Sequence, residues 1–139
     1  MYRGAVSPLP IPPRSRAATA LALFCFATVA FLVPRDLFFP ETRDVEVWLG
    51  LEVRGRAGLA TAPLHWAIFA IGGSAFWTQR PWIWRVAAGY VFYVALSHLV
   101  WSEASPYGNG WPLGLLQMLA ISLPGFWLLR AGGAKARAS

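Results

Sequence analysis

Residues 62–102 read APLHWAIFAIGGSAFWTQRPWIWRVAAGYVFYVALSHLVWS. Two apolar stretches, each about twenty residues long, flank the short polar turn Thr78-Gln79-Arg80-Pro81. An apolar run of ~20 residues is the length of one helical crossing of a bilayer. A turn this short makes the two helices antiparallel neighbours. Thr61 followed by Ala62-Pro63 predicts an N-cap with proline in the first turn, and Pro81 stands where the next helix starts.

Working outward, the same pattern recurs on both sides. Ser15 is a candidate N-cap, and residues 16–33 form an apolar run expected to end at Pro34. Pro112 opens another run that extends to Arg130. The expected fold is therefore an all-α integral membrane bundle of four transmembrane helices. The spans are predicted at 16–33, 62–79, 82–102 and 112–130. The bundle occupies 16–130, with a polar loop over 34–61. A Pro-rich tail covers 1–15, where Pro8, Pro10, Pro12 and Pro13 favour an extended conformation, and a small basic tail covers 131–139. Arg3, Arg14 and Arg16 before an apolar run resemble a signal peptide, but the run continues past Ala30 to Val33. The first span is read as a retained helix.

Composition agrees. Of 139 residues, 57% are hydrophobic and 13% charged, about half the charged share of an ordinary soluble domain. The net charge of +6 does not read as a nucleic-acid surface, because the basic residues flank apolar runs. With both termini inside, the inner segments carry Arg3, Arg14, Arg16, Arg80, Arg85, Arg130, Lys135 and Arg137. The outer segments carry Arg35, Arg43, Arg54 and Arg56. This asymmetry predicts an N-in, C-in protein of a bacterial-type inner (plasma) membrane. Tryptophans 48, 82, 84, 101 and 111 fall at expected interfaces. The lone Cys25, inside an apolar run, reads as a small buried filler.

Within the loop, Val45, Val47, Leu49, Leu51 and Val53 alternate with Asp44, Glu46, Trp48, Gly50 and Glu52. The period is that of a strand. A lone strand cannot satisfy its edges against lipid. The segment is therefore expected either to pair with another chain or to lie on the surface as a helix of mixed character, and its apolar face suggests a contact with another subunit.

Chemistry-bearing residues are few. His65 and His98 are the two histidines, placed symmetrically about the Arg80-Pro81 turn. That symmetry predicts equal depth, ~25 Å from the turn. Phe69, Gly72 and Phe76 share the His65 face, and Ala87, Val91 and Val94 share the His98 face. Facing large and small residues make an inward-pointing histidine pair plausible. Such a pair suits haem, a chlorophyll-type pigment or a quinone; the plainer reading is hydrogen bonding to carbonyls or water. Glu103 and Gln117 are polar candidates on the outer side, Gln117 more as a bond between helices than as a ligand. Motifs for metal hydrolysis, phosphate binding or a nucleophilic triad are missing, as is any acid pair within a span. No metal site is expected.

Three functions are consistent with these residues. The leading one is a non-catalytic accessory or assembly subunit of a larger membrane complex, whose partners are the bilayer and other membrane subunits. The second is binding of haem, pigment or quinone through His65 and His98. The third is a small membrane enzyme on a lipid or isoprenoid, with His65, His98 and Glu103 as acid and base.

Overall fold

The computed structural model describes residues 14–39 and 45–136. Four helices carry the fold: α1 (Arg16–Phe38), α2 (Gly55–Trp77), α3 (Ile83–Ala104) and α4 (Gly110–Ala136). Each is long and apolar enough to cross a membrane, which makes the chain a multi-pass helix bundle. Most of the Pro-rich tail, residues 1–13, and the last three basic-tail residues, 137–139, lie outside the described residues, as do residues 40–44.

The packing is that of helices in lipid. The buried residues are mainly small, and the large apolar ones face out. In α1, Ala18, Ala22 and Cys25 form one buried stripe, while Leu23, Phe24, Phe26 and Phe31 are exposed. The stripe meets α2 at its glycine pair: a Cβ on Gly73 would overlap the Phe26 ring, and one on Gly72 would touch Cys25 Sγ. Gly72 thus serves the α1 contact. Helices α3 and α4 close in the same way. Gly114 lies against Leu99 and Ser102, Gly125 against Phe92, and Gly132 against Trp84. Ring pairs Phe92–Phe126 and Trp84–Trp127 fill the space between these contacts.

The two helix pairs join near the α2–α3 turn, around Ala75, Phe76, Ile83, Trp84, Ala88 and Leu128. Here Arg14 ties α1 to α2. Its guanidinium stacks 3.6 Å over Trp77 and donates to the Trp77 carbonyl. Ser15 caps α1 by accepting from the Ala18 N–H at 3.2 Å.

Several helix ends fall elsewhere than the sequence suggests. Helix α1 continues through Pro34 to Phe38. Proline removes one i→i−4 hydrogen bond and crowds the carbonyl of residue i−4, a cost that transmembrane helices accommodate by local adjustment. Helix α2 starts at Gly55, so Pro63 lies inside it. Thr61 is not its cap; the hydroxyl donates back to the carbonyls of Ala57 and Gly58. Between α2 and α3, Gln79 has φ 56°. The Gln79 N–H donates to the Phe76 carbonyl and the Arg80 N–H to that of Ala75. This is a Schellman ending, built here on glutamine instead of glycine.

That ending shifts the α2–α3 register. With α2 stopping at Trp77 and α3 starting at Ile83, the centre of the hairpin lies at Arg80, not between Pro81 and Trp82. The ring contacts agree: Phe76 meets Trp84 and Phe69 meets Tyr90, where Ala87 and Val94 were the expected neighbours.

The connection from α1 to α2 is a β-hairpin, β1 (Val45–Trp48) with β2 (Leu51–Arg54), antiparallel. The alternating segment is thus neither a strand awaiting another chain nor a surface helix; it folds back and pairs with itself. Leu49 and Gly50 form the turn with φ of 51° and 80°. Both values are positive, as in the I′ turns whose twist suits a hairpin. A two-residue turn also divides the apolar set. Val45 and Val47 lie opposite Arg54 and Glu52, whereas Leu51 and Val53 lie opposite Trp48 and Glu46. Opposed residues share a face, so the expected single apolar face is split between two.

Candidate functional site

The hairpin packs against the N-terminal half of α2 and the C-terminal half of α3. At this end of the bundle the described polar side chains gather into three groups.

The first contains His65. Its Nδ1 lies 2.8 Å from Glu46 Oε2, and its ring stacks on Trp48 with centroids 4.4 Å apart and planes 11° from parallel. Glu46 is buried by this contact, with 7% of its surface exposed. Adjacent on α2, the Trp66 indole donates to Asp36 Oδ2 at 2.8 Å, and Arg35 holds the other oxygen at 2.6 Å. Asp36 is only 1% exposed. A carboxylate so buried is costly unless fully paired, and here both oxygens are engaged.

The second group lies on α3. The Gly50 backbone comes so close that a Cβ there would stand 2.5 Å from the Ser97 carbonyl oxygen and from Val100 Cβ. The Leu49 N–H donates to the Tyr93 hydroxyl at 3.0 Å. Glu52 accepts from Ser105 Oγ at 2.9 Å and Trp101 Nε1 at 3.3 Å, and is paired with Arg54. The Ser105 bond, then that of Arg54, holds the Glu52 carboxyl below the usual glutamate range.

The third group joins α3 to α4, where buried Ser102 donates to Gln117 Oε1 at 3.3 Å. Glu103, one residue on, is exposed. It borders an open groove of about 420 Å³ between α3 and α4, with Leu99, Val100, Ala104, Trp111 and Leu115.

The histidines do not form the level pair drawn from the sequence. With the hairpin centred at Arg80, His65 is level with Ala95 and His98 lies three residues further along α3, ~5 Å. Their partners differ too. His98 meets the Trp101 ring edge-on at 5.9 Å, and its Nδ1 is buried without a hydrogen bond among the described residues, as are Trp48 Nε1 and Ser97 Oγ. His65 is engaged by the hairpin, which itself lies against α3. Among the described residues no group of three His, Cys, Asp or Glu gathers as a metal site would require.

The contacts of Asp36, Glu46, Glu52 and Trp48, and the bond that Tyr93 accepts from the hairpin turn, are not foreseen from the sequence. The signal for the hairpin was present: Gly50 in the middle of an alternating run marks a turn or bulge. Asp36 is hidden because Pro34 reads as the end of α1, whereas the helix runs on to Phe38. Comparison with protein-family models, curated proteins and solved structures gives no match.

Proposed function

We propose that the protein is a non-catalytic subunit of a larger membrane complex, with both termini cytoplasmic and the hairpin on the outer side. The observation that carries this reading is the orientation of the hairpin. Glu46 and Glu52 are spent on contacts to α2 and α3, while Val45, Val47, Leu49 and Leu51 stand 36%, 37%, 61% and 56% exposed. These side chains lie on both faces of the hairpin and at its turn, and together they offer apolar contact surface beyond the helices. The orientation is supported by Arg14, Arg16, Arg80, Arg85 and Arg130 at the opposite end and by the described acids, Asp36, Glu46, Glu52 and Glu103, at or next to the hairpin end.

The test uses Leu51→Glu, which leaves the His65 and Glu52 contacts in place. The variant should insert normally but separate from its partners during gentle detergent purification. Unchanged association would count against the hairpin as the contact.

One observation favours a second reading, a haem, pigment or quinone ligated by His65. Glu46 engages Nδ1, the arrangement that fixes an imidazole with Nε2 available to a ligand. An absorption band in the purified protein that disappears in His65→Ala would establish it. A colourless preparation would remove haem and pigment.

A further inference from the structure

The described ions at the hairpin end pair off almost completely. Arg35 takes Asp36, Arg54 takes Glu52, and His65 takes Glu46. Arg56 and Glu103 remain, both exposed and both without a hydrogen bond or ion pair among the described residues.

Each stands where its own helix disfavours it. Arg56 is in the first turn of α2, beside the positive end of the helix dipole. Glu103 is in the last turn of α3, beside the negative end. A cation brought to Glu103 therefore meets a carboxylate and a helix C-terminus together; an anion brought to Arg56 meets the reverse.

The two residues are also level. Phe69 on α2 touches Tyr90 on α3. Counting thirteen residues back from Phe69 and thirteen on from Tyr90 reaches Arg56 and Glu103, ~20 Å along each helix. Copies of one chain in one membrane share an orientation, so complementary groups at a common depth are what a contact between copies needs. Cyclic symmetry about the membrane normal preserves that depth.

The surfaces below the charges match in shape. Beneath Glu103 lies the apolar α3–α4 groove. Beneath Arg56 the exposed face of α2 carries Ala60, Pro63 and Ala67, with Leu64 and Ile71 projecting beside them to fill a groove. Small side chains let helices approach closely in lipid. We infer that a second copy of this chain docks here, with α2 of one copy along the α3–α4 groove of its neighbour and Arg56 paired to the neighbour's Glu103. The contact is separate from the hairpin face and from any larger complex.

The experiment measures energy transfer between donor- and acceptor-labelled copies of the full chain in phosphatidylcholine vesicles. Wild type should associate. Glu103→Arg alone and Arg56→Glu alone should each weaken association about tenfold, since like charges then face each other. Mixing the two variants restores opposite charges at the contact and should restore association to near the wild-type level. Should a reversal fail to insert, Glu103→Gln and Arg56→Gln serve instead, each weakening association. A monomeric wild type, variants that associate like wild type, or a mixture of inserted reversals that stays apart would each overturn the inference. The last result would assign Glu103 to a foreign cation, from a lipid or another protein.

Discussion

Nδ1 of His65 lies 2.8 Å from a carboxylate oxygen of Glu46, on a strand that the sequence places before α2 and the fold brings back over it. The pair turns a chemical candidate into a clasp. It fastens β1 to α2, while the turn at Gly50 fastens the other end of the hairpin to α3.

The clasp has a measurable strength. His65→Ala or Glu46→Gln should loosen the hairpin by about 1–3 kcal/mol, the cost of leaving a buried polar partner unpaired. Hydrogen exchange at residues 45–54 should quicken, while exchange in α4 stays unchanged. Unaltered protection in the hairpin would show that the contact holds nothing.

Gly50 should be the least replaceable residue of the hairpin. Alanine there would put a Cβ 2.5 Å from the Ser97 carbonyl oxygen, at a φ of 80°. The left-handed conformation costs roughly 1–2 kcal/mol and the overlap a further ~1–3 kcal/mol. Thermal unfolding in detergent should show Gly50→Ala clearly destabilised. Gly55→Ala, with φ 62° but open space around the new Cβ, should lose only the conformational part.

Acid should act on Glu52 late. Its carboxyl is held below the ordinary glutamate range by Ser105 and Arg54. In the unfolded chain the group takes up its proton at the ordinary value; in the folded chain it does so only at lower pH. Its contribution is therefore complete above the ordinary value and is lost as pH falls through the lowered one. Fluorescence of Trp101, which donates to Glu52, should report the change. Glu52→Gln should abolish this acid-dependent step.

Orientation has its own check. Reporter fusions after Ser139 and beside Glu103 should fall in opposite compartments, with Ser139 in the cytoplasm. The reverse assignment would overturn the N-in, C-in reading, and a shared compartment would contradict four crossings.

The helices were legible because the signal is bulk hydropathy broken by proline and polar turns. Their ends were less so. Pro34 reads as a helix end and Pro63 as a helix start, whereas the membrane-length helices absorb both, and Gln79 gives no hint that it adopts the conformation usual for glycine. That one residue moved the α2–α3 register and with it the level of the histidines. The hairpin was half legible: the strand period was clear in residues 45–53, but leucine at a positive φ is a poor turn signal. Once the turn went unseen, the partners of His65 could not be found, since Glu46 and Trp48 reach it only through the fold-back.

The central claim is that this chain works as one subunit among others. The direct measurement is its composition and mass after gentle extraction from the membrane in which it is made. The expected result is a discrete assembly containing this 15.3 kDa chain together with different membrane polypeptides in fixed ratio. Recovery of this chain alone, as monomer or as copies of itself, would contradict the claim.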